Sequence, residues 1–292
     1  MPAVTLIGPG AIGLCVASAL MDAGHDVTFV ARQPFGTLEI TRSDGETRRY
    51  PARVADAGHA PKADWVFLCV KTYQVASAAE ALKAAVGPET KVAVIQNGVE
   101  HLENVAPFID AAAPVVPVVI DLPASRSGPG RAGFGNPSLA FVEDTEAGRA
   151  FRDLFAGTVL DVTATPDLVS RMWRKLCINA PGAVLCLTGK PMGVFHEPGI
   201  ADIAQAILAE CVAVGRAAGA GFDGSVIEDQ MAAFMNARPG DGNSMFEDFK
   251  AGRPMEWDAR NGVIARKGRL YGVPTPVSDF VVPILRAQNS QR

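Results

Sequence analysis

The chain has 292 residues, 48% of them hydrophobic and 20% charged, with a formal net charge of -4. This length buries a sizeable core and predicts about two domains, while the slightly acidic balance carries no electrostatic footprint for nucleic acid. Five cysteines (Cys15, Cys69, Cys177, Cys186 and Cys211) sit in apolar runs and read as reduced core thiols. With no basic leader and no apolar run of membrane length, they predict a cytoplasmic protein without a membrane partner.

The first predicted element is the strand Val4-Thr5-Leu6-Ile7, which runs into Gly8-Pro9-Gly10-Ala11-Ile12-Gly13. In this Gly-x-Gly-x-x-Gly turn, Gly8 permits the tight bend, Gly10 removes a side chain where backbone approaches pyrophosphate, and Gly13 seats the next helix on the strand. That helix, Ala11 to Ala23, directs its unpaired amides at Ala11 and Ile12 toward phosphate. It stops at Gly24, and the strand His25 to Val30 completes a βαβ unit. The second strand runs out through Ala31-Arg32-Gln33, without the acid that accepts hydrogen bonds from a free ribose 2′-hydroxyl. Arg32 offers a guanidinium to a 2′-phosphate, so NADP(H) is expected over NAD. A polar hairpin-like stretch follows, carrying Arg42, Arg48, Arg49 and Arg53 on a solvated face.

Asp64 to Val70 is a continuous apolar strand, as a sheet covered on both faces requires. After a helix ending at Ala85 come strands at Lys91 to Ile95 and Pro114 to Leu122. Further strands are expected near Gly130 to Phe134, Leu139 to Val142 and Thr158 to Val162, around a helix from Glu146 to Phe155. Ligands collect at the carboxyl ends of strands in such sheets, which makes Lys71 and Asn97 cofactor-side candidates. Beyond Val162 the strands stop. Thr165-Pro166-Asp167 reads as a helix start, with helices over Asp167 to Thr188, Gly199 to Ala220, Ser225 to Asn236, Ser244 to Lys250, Glu256 to Tyr271 and Ser278 to Ala287. The expected fold is therefore α/β: a Rossmann-type dinucleotide-binding domain over residues 1–165 followed by an all-α domain over 166–292.

Lys175 and Asn179 are spaced i, i+4 and share one helix face, an arrangement that serves a cleft or equally a surface lysine beside a helix amide. Glu256 and Ser244 fit helix-terminal roles as well as chemical ones. The four histidines show no ligand spacing with cysteines or carboxylates, so no metal site is expected.

Taken together, the glycine turn, Val70-Lys71-Thr72, Gln96-Asn97-Gly98, Trp173 with Lys175 and Asn179, Asn243-Ser244-Met245 with Asp248, Gly252-Arg253 with Glu256, Asn261-Gly262 and Gly272-Val273-Pro274-Thr275-Pro276 resemble the ketopantoate reductase family across essentially the full chain. The resemblance implies NADPH-dependent reduction of a small 2-oxo acid, 2-dehydropantoate first, held in a cleft between the two domains of a monomer or homodimer. It implies Lys175 as general acid, Glu256 and Asn179 as groups orienting lysine and substrate, Ser244 on the substrate carboxylate, and Asn243 and Asn97 beside the substrate. One departure stands out. Where family members place a second asparagine one turn beyond the first, this chain has Ala183, two residues after Pro181, which is expected to kink the helix. If Ala183 faces the substrate, the lost amide opens an apolar space and favours another branched or bulkier 2-oxo acid. A cofactor-binding regulator without turnover would need neither Lys175 nor Glu256.

Overall fold

The computed structural model describes residues 1–290, and its chain divides into two units. One comprises Met1–Gln96 and His101–Leu168; the other comprises Asn97–Glu100 and Val169 onward.

In the first unit, strands β1 (Ala3–Ile7), β2 (Asp26–Val30), β3 (Thr37–Arg42), β4 (Thr47–Pro51), β5 (Arg53–Ala55), β6 (Trp65–Leu68), β7 (Lys91–Ile95), β8 (Val115–Asp121), β9 (Ala124–Gly128), β10 (Arg131–Phe134), β11 (Leu139–Glu143) and β12 (Asp161–Thr165) form two sheets. The larger has the order β12-β11-β8-β7-β6-β1-β2-β5. Its strands are parallel from β5 to β8, and β11 is antiparallel to β8. The order reverses between β1 and β6, the place where doubly wound sheets bind ligands.

Apolar residues alternate across this sheet. Leu6, Phe67 and Ala93 join the core shared with helices α1 (Ala11–Asp22) and α4 (Glu146–Asp153), while Ile7, Val66 and Val94 face the core around α2 (Ala79–Ala85) and α3 (His101–Val105). Helices on both faces explain why these strands read as unbroken apolar runs. The α/β expectation is borne out.

The smaller sheet, β4-β3-β10-β9, joins two hairpins distant in sequence through the parallel pair β3–β10. It carries Arg42, Arg48 and Arg49, while Arg53 lies on β5 of the larger sheet. Arg42 and Arg48 pair with Asp22 and Glu46, Arg49 with Glu39, and Arg53 with Asp26. These cations are neutralised locally and so are not a reserve of charge for an anionic ligand.

In the second unit, α5 (Leu168–Asn179), α6 (Ala183–Thr188), α7 (Ile200–Ala217), α8 (Val226–Met235), α9 (Ser244–Lys250), α10 (Val263–Tyr271) and α11 (Pro276–Asn289) enclose a core that includes Trp173, Leu176, Cys211, Phe246 and Ile264. Buried Glu210 of α7 caps α11, accepting from the amides of Val277 and Ser278 at 2.7 and 2.8 Å and from the Ser278 hydroxyl at 2.6 Å. Among the described residues no helix is long and apolar enough to cross a membrane.

Three local expectations need correction. Thr165 does not start a helix: it pairs with Glu143 as the last residue of β12, its hydroxyl accepts from the Asp167 amide at 3.2 Å, and α5 begins at Leu168. The helix expected through Thr188 is interrupted at the proline: Pro181 sits in a single 3-10 turn, Ala180–Gly182, between α5 and α6. The helix expected from Glu256 begins as a π-turn at Asp258–Gly262, leaving Glu256 ahead of it.

Candidate functional site

The cofactor half of the site lies in the first unit, at the carboxyl end of β1. Gly8 has φ +88, and a Cβ there would stand 2.5 Å from Val70 Cγ1 and 2.9 Å from the Val70 nitrogen, so only glycine lets the turn pass the end of β6. A Cβ on Gly13 would lie 2.7 Å from the Gly8 carbonyl oxygen and 3.1 Å from both Cys69 Cβ and Leu6 Cδ2, which is the close helix–strand seat inferred for this glycine.

Gly10 is different: nothing lies within 4 Å of its would-be Cβ. It precedes α1 without a side-chain cap, and the first turn carries no acid. The first bond of α1 runs from the Leu14 amide to the Gly10 carbonyl. The amides of Ala11, Ile12 and Gly13 are the ones that such a helix start turns to an outside acceptor. Open space over Gly10 and a positive helix end fit a pyrophosphate.

Past the end of β2, Arg32 is exposed and has no hydrogen-bond or ion-pair partner among the described residues. Lys71 follows β6 in extended conformation, half-buried, with its amide donating to Gln74 Oε1 at 3.3 Å.

The second unit gathers the other candidates. Lys175 and Asn179 lie half-buried on one face of α5, while Trp173, Leu176 and Cys177 face the unit's core. Asn97, which sequence placed on the cofactor side, groups with this unit. Its Nδ2 donates to Glu256 Oε2 at 3.0 Å and its Oδ1 accepts from Asn179 Nδ2 at 3.5 Å. Gly98, at φ +98, makes that approach possible, since a Cβ there would lie 2.9 Å from the Ala259 carbonyl oxygen. Nearby Glu100 accepts from Arg266 at 2.6 Å and lies 3.6 Å from Lys267. Glu256, 3% exposed, is thus a buried carboxylate held by an amide, immediately ahead of the helical turn that starts at Trp257.

Asn243 proves to be the N-cap of α9, its Oδ1 accepting from the Phe246 amide at 2.9 Å, and its amide nitrogen fills the space where Gly182 lacks a side chain. Its carbonyl oxygen is committed to folding, which argues against the direct substrate contact expected for it. Ser244 is exposed and accepts a hydrogen bond from Arg260 Nη2 at 2.8 Å.

Ala183 does not continue the Lys175–Asn179 face. It is 0% exposed and belongs to the unit's core. Three residues of 3-10 geometry overwind the chain by about 60° relative to an α-helix, which carries residue 183 away from that face. No apolar space opens at this position.

Sequence reasoning missed Arg260, which is 1% exposed. The signal was an arginine in the stripe of buried positions Glu256, Ala259, Val263 and Ile264. It also missed His101. Burial lowers this imidazole's pKa to about 4, and its Nε2 lies 2.9 Å from the Gln96 carbonyl oxygen. The cysteines are in no disulfide, and burial pushes Cys15 up to about 12 and Cys69 higher still, so neither is a nucleophile. No group of three or more metal-ligating side chains occurs among the described residues.

Comparison with known proteins agrees over both units. Residues 4–142 match the family model "Ketopantoate reductase PanE/ApbA", and residues 167–289 match "Ketopantoate reductase PanE/ApbA C terminal". The chain is 40% identical over 290 residues to the 2-dehydropantoate 2-reductase of Caulobacter vibrioides, covering 98% of this chain and 99% of the relative. It is 35% identical over 286 residues to that of Mycobacterium tuberculosis, covering 97% of each. A dimeric ketopantoate reductase of Staphylococcus aureus shares the fold, with a TM-score of 0.87 at 23% identity over 99% of each chain. A glycine turn with open space for a dinucleotide and an amide–carboxylate set around buried Glu256 are what a family of nicotinamide-dependent oxidoreductases acting on small molecules would keep, and this chain belongs to the ketopantoate reductase family.

Proposed function

We propose that this protein reduces a 2-oxo acid to the 2-hydroxy acid with NADPH, its substrate being 2-dehydropantoate and its product the pantoate used for pantothenate and coenzyme A. The observation that carries the reading is the Asn97–Glu256–Asn179 set in the same unit as Lys175, at near full-length similarity to named 2-dehydropantoate 2-reductases. Gly8, Gly10, Ala11, Ile12 and Gly13 would hold the pyrophosphate, Arg32 the 2′-phosphate, and Lys71 the same cofactor side; the cofactor supplies hydride to the carbonyl carbon. The chain's own task is the oxygen. As charge develops there, the Lys175 ammonium stabilises it and delivers its proton, so the alcohol leaves neutral. Glu256 and Asn179, tied together through Asn97, restrict where substrate and lysine can sit, and Ser244 donates to the substrate carboxylate.

Arg32, without a partner among the described residues, supports NADPH over NADH, because β2 runs out into Ala31-Arg32-Gln33 without an acid to repel the phosphate. Ala183 in the core leaves the case for a bulkier acid without a reshaped pocket. The protein works in the cytoplasm as a monomer or, like the Staphylococcus aureus enzyme, a dimer. The test is NADPH oxidation followed by absorbance across a panel of 2-oxo acids, with NADH in parallel. Highest kcat/KM for 2-dehydropantoate with NADPH is expected; no turnover of any 2-oxo acid would sink the reading.

A further inference from the structure

Arg260 heads the fully buried side chains in volume, yet only one of its nitrogens is satisfied. Nη2 donates to Ser244 Oγ, while Nε and Nη1 are buried with no hydrogen-bond partner. A guanidinium out of water without acceptors is unfavourable unless something else offsets it. The carboxylates whose charge reaches it, Glu256 and Asp248, are turned to other donors: Glu256 Oε2 to Asn97 and Asp248 Oδ1 to Arg253 Nε at 2.9 Å. The π-turn that carries Arg260 directs it toward the start of α9, where Ser244 is exposed.

We propose that Arg260 and Ser244 together receive the carboxylate of the 2-oxo acid, an inference that rests on the reductase reading above. Because Ser244 Oγ accepts from Nη2, its own proton is free to point at an incoming oxygen. Nη1 supplies a second, charge-assisted donor to the same carboxylate. The acid's negative charge gives Nη1 the acceptor it lacks and offsets the buried guanidinium's charge, and an uncharged ester cannot do this as well. Arg260 is thereby a specificity residue for acids over neutral 2-oxo compounds.

The experiment compares full-length wild type, Arg260→Met and Arg260→Lys. Each is titrated calorimetrically with 2-dehydropantoate and with its lactone, which has no free carboxylate, then assayed for turnover with NADPH; NADPH affinity and Tm are recorded for each. Arg260→Met should weaken the acid about 10- to 100-fold. It should change the lactone by less than about threefold and leave NADPH affinity near wild type, and lysine should restore part of the acid's affinity. If Arg260→Met does not melt cooperatively, the lysine variant carries the test, and its acid affinity must fall while the lactone's does not. Equal loss of acid and lactone, no loss of either, or a wild type that binds no 2-oxo acid overturns the proposal. The two readings separate cleanly. Turnover unaffected by Arg260→Met refutes the carboxylate role alone, and Arg260-dependent acid binding without NADPH oxidation refutes the reductase reading alone.

Discussion

Replacing Gly10 and Gly13 separately by alanine distinguishes the part of the turn that faces a ligand from the part that faces the fold. At Gly10 the backbone has φ -76, which alanine adopts freely, and no heavy atom lies within 4 Å of the new methyl. The only cost to folding is a poorer helix cap, about 0.5 kcal/mol, or about 1 to 2 °C in Tm. If the pyrophosphate runs over this residue, the methyl displaces it from the α1 amides. Losing one charge-assisted hydrogen bond, about 1.5 to 3 kcal/mol, weakens NADPH about 10- to 100-fold. At Gly13 the methyl meets a carbonyl oxygen at 2.7 Å and two carbons at 3.1 Å, none of them on a long flexible side chain. Overpacking of about 1 to 3 kcal/mol exceeds the roughly 1 kcal/mol that alanine gains in helix propensity, so Tm should fall by a few degrees, and NADPH affinity should fall with it as α1 shifts. Fluorescence titration with NADPH and thermal melts of both variants suffice. A Gly10→Ala protein that binds NADPH like wild type would refute the placement of the pyrophosphate, whatever Gly13→Ala does.

Four other outcomes are expected. Lys175→Ala should lower kcat about 100- to 10,000-fold with NADPH binding nearly unchanged, and wild-type turnover of any 2-oxo acid would reduce Lys175 to a surface residue. Arg32→Ala should weaken NADPH about tenfold and leave NADH alone in paired titrations; equal effects would remove Arg32 from the phosphate. Buried His101 titrates at about 4 when folded and near 6.5 when unfolded, so the unfolded chain takes up the extra proton. Its contribution is constant above pH 6.5, falls as pH drops toward 4 by roughly 3 kcal/mol and then levels; denaturant melts across that window should show a shallower loss for His101→Gln, and parallel curves would contradict it. Ala183→Asn should destabilise the protein by about 2 to 5 kcal/mol, by overpacking and an unsatisfied amide, without improving kcat/KM for 2-dehydropantoate. A tenfold improvement would return residue 183 to the substrate wall.

The parallel sheet was legible because its strands are buried on both faces, so Trp65–Leu68 and Lys91–Ile95 are continuous apolar runs. The glycine turn was legible because each glycine answers a separate steric demand. Pairing of β3 with β10 was not, since Glu39 and Arg131 share no local signal and the smaller sheet is assembled by tertiary contact. The helix interruptions were half legible. Pro181 announces a fault, but whether the chain bends or restarts depends on how Ala180, Pro181 and Gly182 pack, and all three are buried.

That restart explains why the Ala183 departure misleads when read from spacing. Counting turns along an unbroken helix puts residue 183 beside Lys175 and Asn179, and the missing amide then looks like a lost substrate contact. In the folded chain Ala183 lies in the core after the 3-10 turn, 0% exposed, and an alanine is what the packing asks for. A buried charge stands instead at Arg260, a position that the 3.6-residue stripe assigns to the apolar side and whose guanidinium donates to Ser244. The 3-10 turn, tighter than an α-helix, therefore decides that residue 183 leaves the face of Lys175 and Asn179, and it is not visible in a pattern that assumes a constant 3.6-residue period.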